Sequence, residues 1–206
     1  MRMQLILAVT SPTAFLKVGK ALSIDLAMES LTTVGTSLPL TIAVNQGQSI
    51  ALRDFLRDRN LDVETLICEP ADTRSFADAL LPGCTDFDAL LIHDASRPFT
   101  SRLQFDGVLA AFKDGTDAVR PAMAFTETLK ILDAHSVIKK TLDRSTVLRI
   151  STPELIRVSA IDFPGIDCGW FLPLRKGART LQIEAVPEGL RINSVEDRDL
   201  MEIYTN

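Results

Sequence analysis

An α/β fold is what this sequence predicts, with a mostly parallel twisted sheet and helices on both faces. Three observations carry that expectation. Short apolar runs alternate with amphipathic segments up to residue 112, a βαβα rhythm that implies parallel strands joined by helices. Runs such as Leu5-Ile6-Leu7-Ala8 and Leu90-Leu91-Ile92 are apolar without alternation, as strands buried on both faces are. The second run leads directly into Asp94, a carboxylate at the C-terminal end of a strand, where open α/β sheets bind ligands.

Each element has its own signal. Met3–Val9 reads as the first strand. Residues 21–31 read as a helix, with apolar residues at 22, 24, 26, 28 and 31. Leu40–Val44 is a second strand, and the amphipathic stretch 50–59 a second helix. Val63–Ile67 is a strand, Arg74–Leu81 a helix, Ala89–Ile92 the fourth strand and residues 103–112 a helix. Right-handed crossovers are the default for such units. After Asp117 the rhythm changes. Residues 118–124 read as extended, and 129–132 and 137–142 as two strands around the turn Asp133-Ala134-His135-Ser136. A hairpin without covering helices needs another surface, either its own sheet or a second molecule. Pro153–Ser159 and Cys168–Leu174 read as short helices and residues 181–186 as a strand. Ser194 opens a final helix as N-cap, with Glu196 and Asp197 in the first turn, where the helix dipole favours acids.

The composition bounds the function. At 206 residues the chain is long enough for one large domain with a substantial core. A net charge of −5 with no basic block argues against nucleic acid as a partner. Three cysteines and two histidines are too few for a disulfide scaffold or a histidine-based zinc centre. No segment reads as a signal peptide or a membrane span, so a reducing cytoplasm is the expected compartment.

Chemistry concentrates in His93-Asp94-Ala95-Ser96-Arg97-Pro98. Asp94 is placed to hold a hard cation such as Mg²⁺ or, more simply, to cap the turn. Arg97 is placed to hold a phosphate or to lock the loop. Trp170 and Phe171 read as core rather than as a platform for a base.

That hexapeptide resembles the His-Asp-Ala-Ala-Arg-Pro signature of the 2-C-methyl-D-erythritol 4-phosphate cytidylyltransferases, and the likeness extends along most of the chain. Leu5-Ile6-Leu7-Ala8 looks like that family's first strand. Arg74 stands where the family has the arginine of Gly-Gly-x-x-Arg-x-x-Ser. Glu127-Thr128-Leu129-Lys130 looks like Asp-Thr-x-Lys, Thr141-Leu142-Asp143-Arg144 like Thr-Val-Asp-Arg, and Ser151-Thr152-Pro153-Glu154 like Gln-Thr-Pro-Gln. Arg191-Ile192-Asn193 with Glu196-Asp197 looks like the closing segment. The resemblance implies a Rossmann-like nucleotidyltransferase fold over residues 1–206, with an arm at 125–145 that embraces a second subunit of a homodimer. It implies transfer of cytidylyl from CTP to methylerythritol phosphate, a step of non-mevalonate isoprenoid synthesis, with Mg²⁺ as cofactor. Carried over position by position, Ala8, Arg74, Asp94 and Ala95 would contact the nucleotide, and Asp94 the metal. Thr128, Arg144 and Thr152 would hold the methylerythritol phosphate. Arg191 would supply catalytic charge, with Lys17 as the nearest substitute for a second cation.

One element of the family is missing. Where the family has Ala-Ala-Gly-x-Gly-x-Arg-Met, this chain has Ala8-Val9-Thr10-Ser11-Pro12-Thr13-Ala14-Phe15-Leu16-Lys17-Val18-Gly19. Glycines let backbone N–H groups close around phosphates. Here Pro12 has no N–H, and Val9 and Thr10 are β-branched. Phe15 and Leu16 are expected to pack down. Other positions have drifted: Pro70-Ala71 for Gly-Gly, Ala77 for serine, Glu127 for aspartate, Glu154 for glutamine, and Ile166-Asp167-Cys168 for Thr-Asp-Glu. Two readings stay open, a cytidylyltransferase of impaired activity and an inactive relative acting as a binding or regulatory protein. A ligand-binding module without nucleotide chemistry is the generic third.

Overall fold

Every residue of β1 (Met3–Val9) is buried, and the reason lies in what covers it. In this computed structural model, which describes residues 1–162 and 169–205, the odd-numbered Leu5, Leu7 and Val9 share one face. They pack against Ile24, Ala27 and Leu31 of α1 (Ser23–Thr32) and Leu52 and Phe55 of α2 (Ser49–Asp58). The even-numbered Ile6 and Ala8 share the other face with Leu90 and Ile92 of β6 (Ala89–Asp94). There they meet Phe76, Ala77 and Leu80 of α3 (Thr73–Cys84) and the side chains of Trp170, Leu172 and Leu174. Cover on both faces removes any need for polar alternation along the strand.

The main sheet runs β5 (Glu64–Ile67), β4 (Leu40–Val44), β1, β6, β11 (Glu154–Arg157), β7 (Ala118–Ala124). β10 (Leu148–Ile150) and β12 (Thr180–Glu184) both pair with β7. β1, β4, β5 and β6 are mutually parallel, β12 is parallel to β7, and β10 and β11 run antiparallel to their neighbours. The helix α4 (Arg102–Ala111) joins β6 to β7 and contributes Phe105 and Val108 to the first face. From β1 the chain crosses through α1 to β4 on one side, while β6 lies on the other. Strand order therefore reverses between β1 and β6, the position where α/β sheets open a ligand crevice.

A small clasp closes this end. β2 (Lys17–Val18) pairs with β3 (Ala21–Leu22), and Val18 packs with Ile192 and with Met201 of α5 (Val195–Met201). Ser194 caps α5 as expected, accepting from the Asp197 N–H. The hairpin of β8 (Leu129–Leu132) and β9 (Ile138–Leu142) is a separate two-stranded sheet, with Ile131, Leu132, Val137 and Ile138 exposed. No described helix is long and apolar enough to cross a membrane.

Several expectations need correction. Pro153–Ser159 is not a helix: its core is β11, inserted between β6 and β7, with Leu155 and Ile156 fully buried on opposite faces. A short apolar run without alternation fits either state by periodicity alone. The helix expected over Cys168–Leu174 is absent from its described part. Gly169 sits at φ 71°, outside the right-handed helical region, and Pro173 would interrupt a helix near its end. Cys168, with Ile166 and Asp167, lies outside the described residues. The helix expected from residue 21 starts at Ser23, because Ala21 and Leu22 are spent on pairing with β2. The short strand β10 has no counterpart among the expected elements.

Candidate functional site

The parallel register of β1 and β6 sets Ala8 beside Asp94, so both strands deliver their last residues to one place. Ala95 N–H continues the pairing by donating to Ala8 O at 2.9 Å. Asp94 is only 4% exposed, and both of its oxygens are engaged. Oδ1 accepts from the Ser96 N–H at 2.9 Å and the Thr10 hydroxyl at 3.0 Å. Oδ2 accepts from Arg191 Nε at 2.8 Å, with Arg97 Nε at 3.9 Å. Arg191 Nη2 donates to Thr10 Oγ1 at 3.0 Å, and its Nη1 is bonded to Asn193 Oδ1.

Around this centre most polar groups are internally satisfied, although Arg97 Nε is buried without a hydrogen-bond partner. Arg97 donates to Gly189 O at 2.6 Å and Ile150 O at 3.1 Å, so it locks the loop. Burial pushes the His93 imidazole down to about 4, which leaves the ring neutral. Its Nε2 faces Arg97 O at 3.3 Å, so Nε2 carries the proton, and Nδ1 accepts from the Thr152 hydroxyl at 2.8 Å. Thr152 Oγ1 also receives the Asp94 N–H at 3.3 Å. Gln104, on α4, donates to the Thr152 carbonyl and accepts from the Val186 N–H.

The loop after β1 is drawn into the same network. Ser11 caps a 3₁₀ turn over Pro12–Phe15. Thr13 Oγ1 donates to Ile192 O at 2.8 Å and stands 3.1 Å from Ser96 Oγ. Three loop amides are spent inside the loop: Thr13 N on Ser11 Oγ, Ala14 N on Ser11 O, and Leu16 N on Thr13 O. The first residue after β1 with positive φ is Gly19. Ala14 is buried, and Phe15 and Leu16 pack against the core and the clasp, as expected of apolar side chains there.

The structure thus gathers Ala8, Asp94, Ala95, Thr152 and Arg191 and leaves four candidates apart. Lys17 is exposed on β2, and no described residue pairs with its side chain. Arg74 is exposed in the first turn of α3, and among the described residues no hydrogen bond or ion pair links it to the Asp94 cluster. Thr128 and Arg144 lie at the base of the hairpin, where Arg144 donates to Thr126 O. Among the described residues, no hydrogen bond or ion pair links that base to the Asp94 cluster. Sequence reasoning assigns no role to Thr10, Gln104 or Arg120. Thr10 is readable only as a β-branched loop residue. Gln104 reads as a surface position of an amphipathic helix, yet is 2% exposed.

A second buried carboxylate lies nearby. Glu154 accepts from the Phe171 N–H at 2.8 Å and pairs with Arg120 at 3.3 Å, while the Arg120 guanidinium stacks 4.2 Å over Trp170. Burial outweighs these partners and pushes the Glu154 carboxyl up to about 7. Trp170 packs in the core as expected, and its edge, with Phe171, Glu154, Pro70 and Ala71, borders a cavity of about 280 Å³.

A magnesium ion requires near-octahedral oxygen coordination, usually with a carboxylate oxygen free to bind it. Asp94 offers no uncommitted oxygen, and the described residues contain no group of three His, Cys, Asp or Glu side chains that could hold a metal. The arrangement does not fit the ion.

Comparison with known proteins places the chain. Solved structures of 4-diphosphocytidyl-2C-methyl-D-erythritol synthases superpose over nearly its whole length. One gives a TM-score of 0.76 at 15% identity with 100% of both chains covered. Another, from Anaerococcus prevotii DSM 20548, gives 0.73 at 17% identity, covering 98% of this chain and 97% of that one. The 2-C-methyl-D-erythritol 4-phosphate cytidylyltransferase of Thermus thermophilus gives 0.73 at 18% identity, with 100% and 99% covered. In sequence, the enzyme of that name from Pseudomonas putida KT2440 is 34% identical over 86 residues. That is 42% of this chain and 37% of the relative, so the match spans little over a third of the curated enzyme. The family model for 2-C-methyl-D-erythritol 4-phosphate cytidylyltransferase matches residues 7–163. With the fold and most of its length matched in this way, the chain belongs to the 2-C-methyl-D-erythritol 4-phosphate cytidylyltransferase family.

Proposed function

We propose that this chain binds CTP and methylerythritol phosphate at the ends of β1 and β6 and joins them slowly. The reaction is attack of a substrate phosphate oxygen on the α-phosphorus of CTP, with diphosphate leaving. Such transfers depend on positioning and charge stabilisation, with little covalent help from the protein. Ala8, Ala95 and Arg74 face the nucleotide in this reading. Thr152 holds the methylerythritol phosphate together with Thr128 and Arg144 of a second subunit's arm. The exposed Ile131, Leu132, Val137 and Ile138 support a homodimer built through that arm.

One observation carries the reading. The Asp94 turn keeps the family's residues, whereas the loop after β1 spends three of its amides on itself. Losing a single preorganised donor costs about 10²–10³ in rate. With several gone, turnover is expected to be at least about 10³-fold below that of a relative with the glycine-rich loop, by steady-state assay with both substrates. A rate within tenfold of the relative overturns the impairment. The tied-down loop also favours a second reading, a member that binds without turnover. Saturable CTP binding in calorimetry with no product formed would select it. A monomer in light scattering at micromolar concentration would remove the shared site.

A further inference from the structure

We infer that Arg191 stands in for the divalent cation at the end of β6, so that this chain binds phosphate-bearing ligands without metal. The inference rests on the nucleotide reading above and concerns its charge balance. Magnesium, where such a site uses it, neutralises phosphate charge while held by a free carboxylate oxygen. Here that oxygen is taken: Asp94 Oδ2 receives Arg191 Nε at 2.8 Å, and Oδ1 is filled by Ser96 N–H and Thr10. The guanidinium is held at three points, by Asp94, Thr10 and Asn193. A planar guanidinium is charged at any ordinary pH and presents five N–H donors, so with one on each nitrogen committed to Asp94, Thr10 and Asn193 two remain to offer to an oxyanion.

The space beside it suits that role. A cavity of about 420 Å³ is lined by Arg97, Arg149, Arg191, Asn193 and Asp197, among others. Three guanidinium groups stand there against the carboxylates of Asp94 and Asp197, one excess positive charge in a chain of net charge −5. Arg97 is spent on carbonyls, and Arg149 is exposed at the mouth. An anion entering the cavity meets Arg191 on the inside and Arg149 on the outside. No vacant carboxylate oxygen of Asp94 remains to recruit a metal with it.

Calorimetry tests this with CTP and with inorganic diphosphate, each in EDTA and in about 10 mM MgCl₂. The expected result is a Kd in EDTA within about threefold of that in magnesium. Binding of both probes only with magnesium overturns the inference and leaves the nucleotide reading standing. Diphosphate bound in EDTA with no CTP bound anywhere does the reverse. Failure of both probes in every condition overturns the inference. Arg191→Ala should weaken binding in EDTA at least about 30-fold and make it metal-dependent, with magnesium restoring at least about tenfold. Arg149→Ala should weaken binding about equally in both conditions. An Arg191→Ala protein that magnesium does not rescue overturns the assignment. Arg191→Gln, close to the same length without the charge, carries the same test if the alanine variant does not fold.

Discussion

Two segments meet at the open end of the sheet and depart from the family pattern to opposite degrees. The turn after β6, Asp94–Arg97, keeps the family's residues almost unchanged. The loop after β1, Thr10–Leu16, keeps none of the family's glycines or its arginine. Yet the two are bonded to each other, Thr10 to Asp94 and Thr13 beside Ser96. The retained turn serves here as an anchor. Arg97 binds carbonyls, His93 is neutral and enclosed, and Asp94 gathers hydroxyl, amide and guanidinium donors. The rewritten loop supplies the hydroxyls that complete this network where the glycine-rich loop would have presented amides outward. A retained motif therefore does not by itself imply a retained reaction.

If the turn is an anchor, its largest energetic effect lies in Arg97. Arg97→Ala strips donors from the carbonyls of Gly189 and Ile150 and removes a charge from beside Asp94. Removing one member of a buried ion pair costs roughly 3–5 kcal/mol, and the 3.9 Å separation from Asp94 puts this pair near the lower end. Urea unfolding should show a loss of about 3 kcal/mol. A loss under about 1 kcal/mol would mean that Arg97 is held ready for a ligand instead.

The next effect concerns the two buried titratable groups behind the turn. His93 titrates near 4 in the fold, below an ordinary histidine, so between about 4 and 6.5 only the unfolded chain takes up its proton. Stability from this group rises with pH across that window, by about 1.4 kcal/mol per unit at most. Glu154 titrates near 7, above an ordinary glutamate, so between about 4.5 and 7 the folded chain holds the extra proton. Its contribution falls with pH by the same slope. From pH 4.5 to 6.5 the two cancel. Glu154→Gln removes one side of the balance, so the variant should gain stability relative to wild type as pH rises through this range. Parallel stability curves for the two proteins would refute the opposition.

A smaller effect tests the link between loop and C-terminal segment. Thr13→Val keeps the shape and removes the hydroxyl that donates to Ile192 O. The expected loss is about 1 kcal/mol by denaturant unfolding, the usual worth of one such bond. An unchanged midpoint would detach the loop from the anchor.

Legibility divides along the same line as the two segments. Strands covered on both faces announce themselves, and Asp94 is legible because it ends such a run. β11 is also covered on both faces but is not legible, because its apolar run is only Leu155 and Ile156 between Glu154 and Arg157, and four residues carry no period. Thr10 acquires its role only from partners 84 and 181 positions away, Asp94 and Arg191. Gln104 follows the same rule, since its bonds reach Thr152 and Val186. Local pattern shows what a residue could pack against. It says little about which distant backbone group will claim its hydroxyl or amide.

The smallest expected effect is the most informative about the loop. Lys17 is the cation nearest in sequence to the missing arginine and lysine, and a rebuilt phosphate site would have to use it. Its strand β2 pairs with β3 and packs beside α5, and its side chain is exposed without a partner among the described residues. A flexible, hydrated ammonium contributes little unless something fixes it against the ligand. Arg191, by contrast, is held at three points and already stands at the end of β6. Lys17→Ala should therefore leave both the basal transfer rate and the Kd for CTP unchanged within about twofold, while Arg191→Ala changes them strongly. The assay separates two accounts of the loop. A fall of about 10²-fold or more on losing Lys17 would be the size of a lost transition-state donor. It would mean that the lysine swings over bound phosphates and that the loop after β1 was rebuilt for catalysis, not folded away from it.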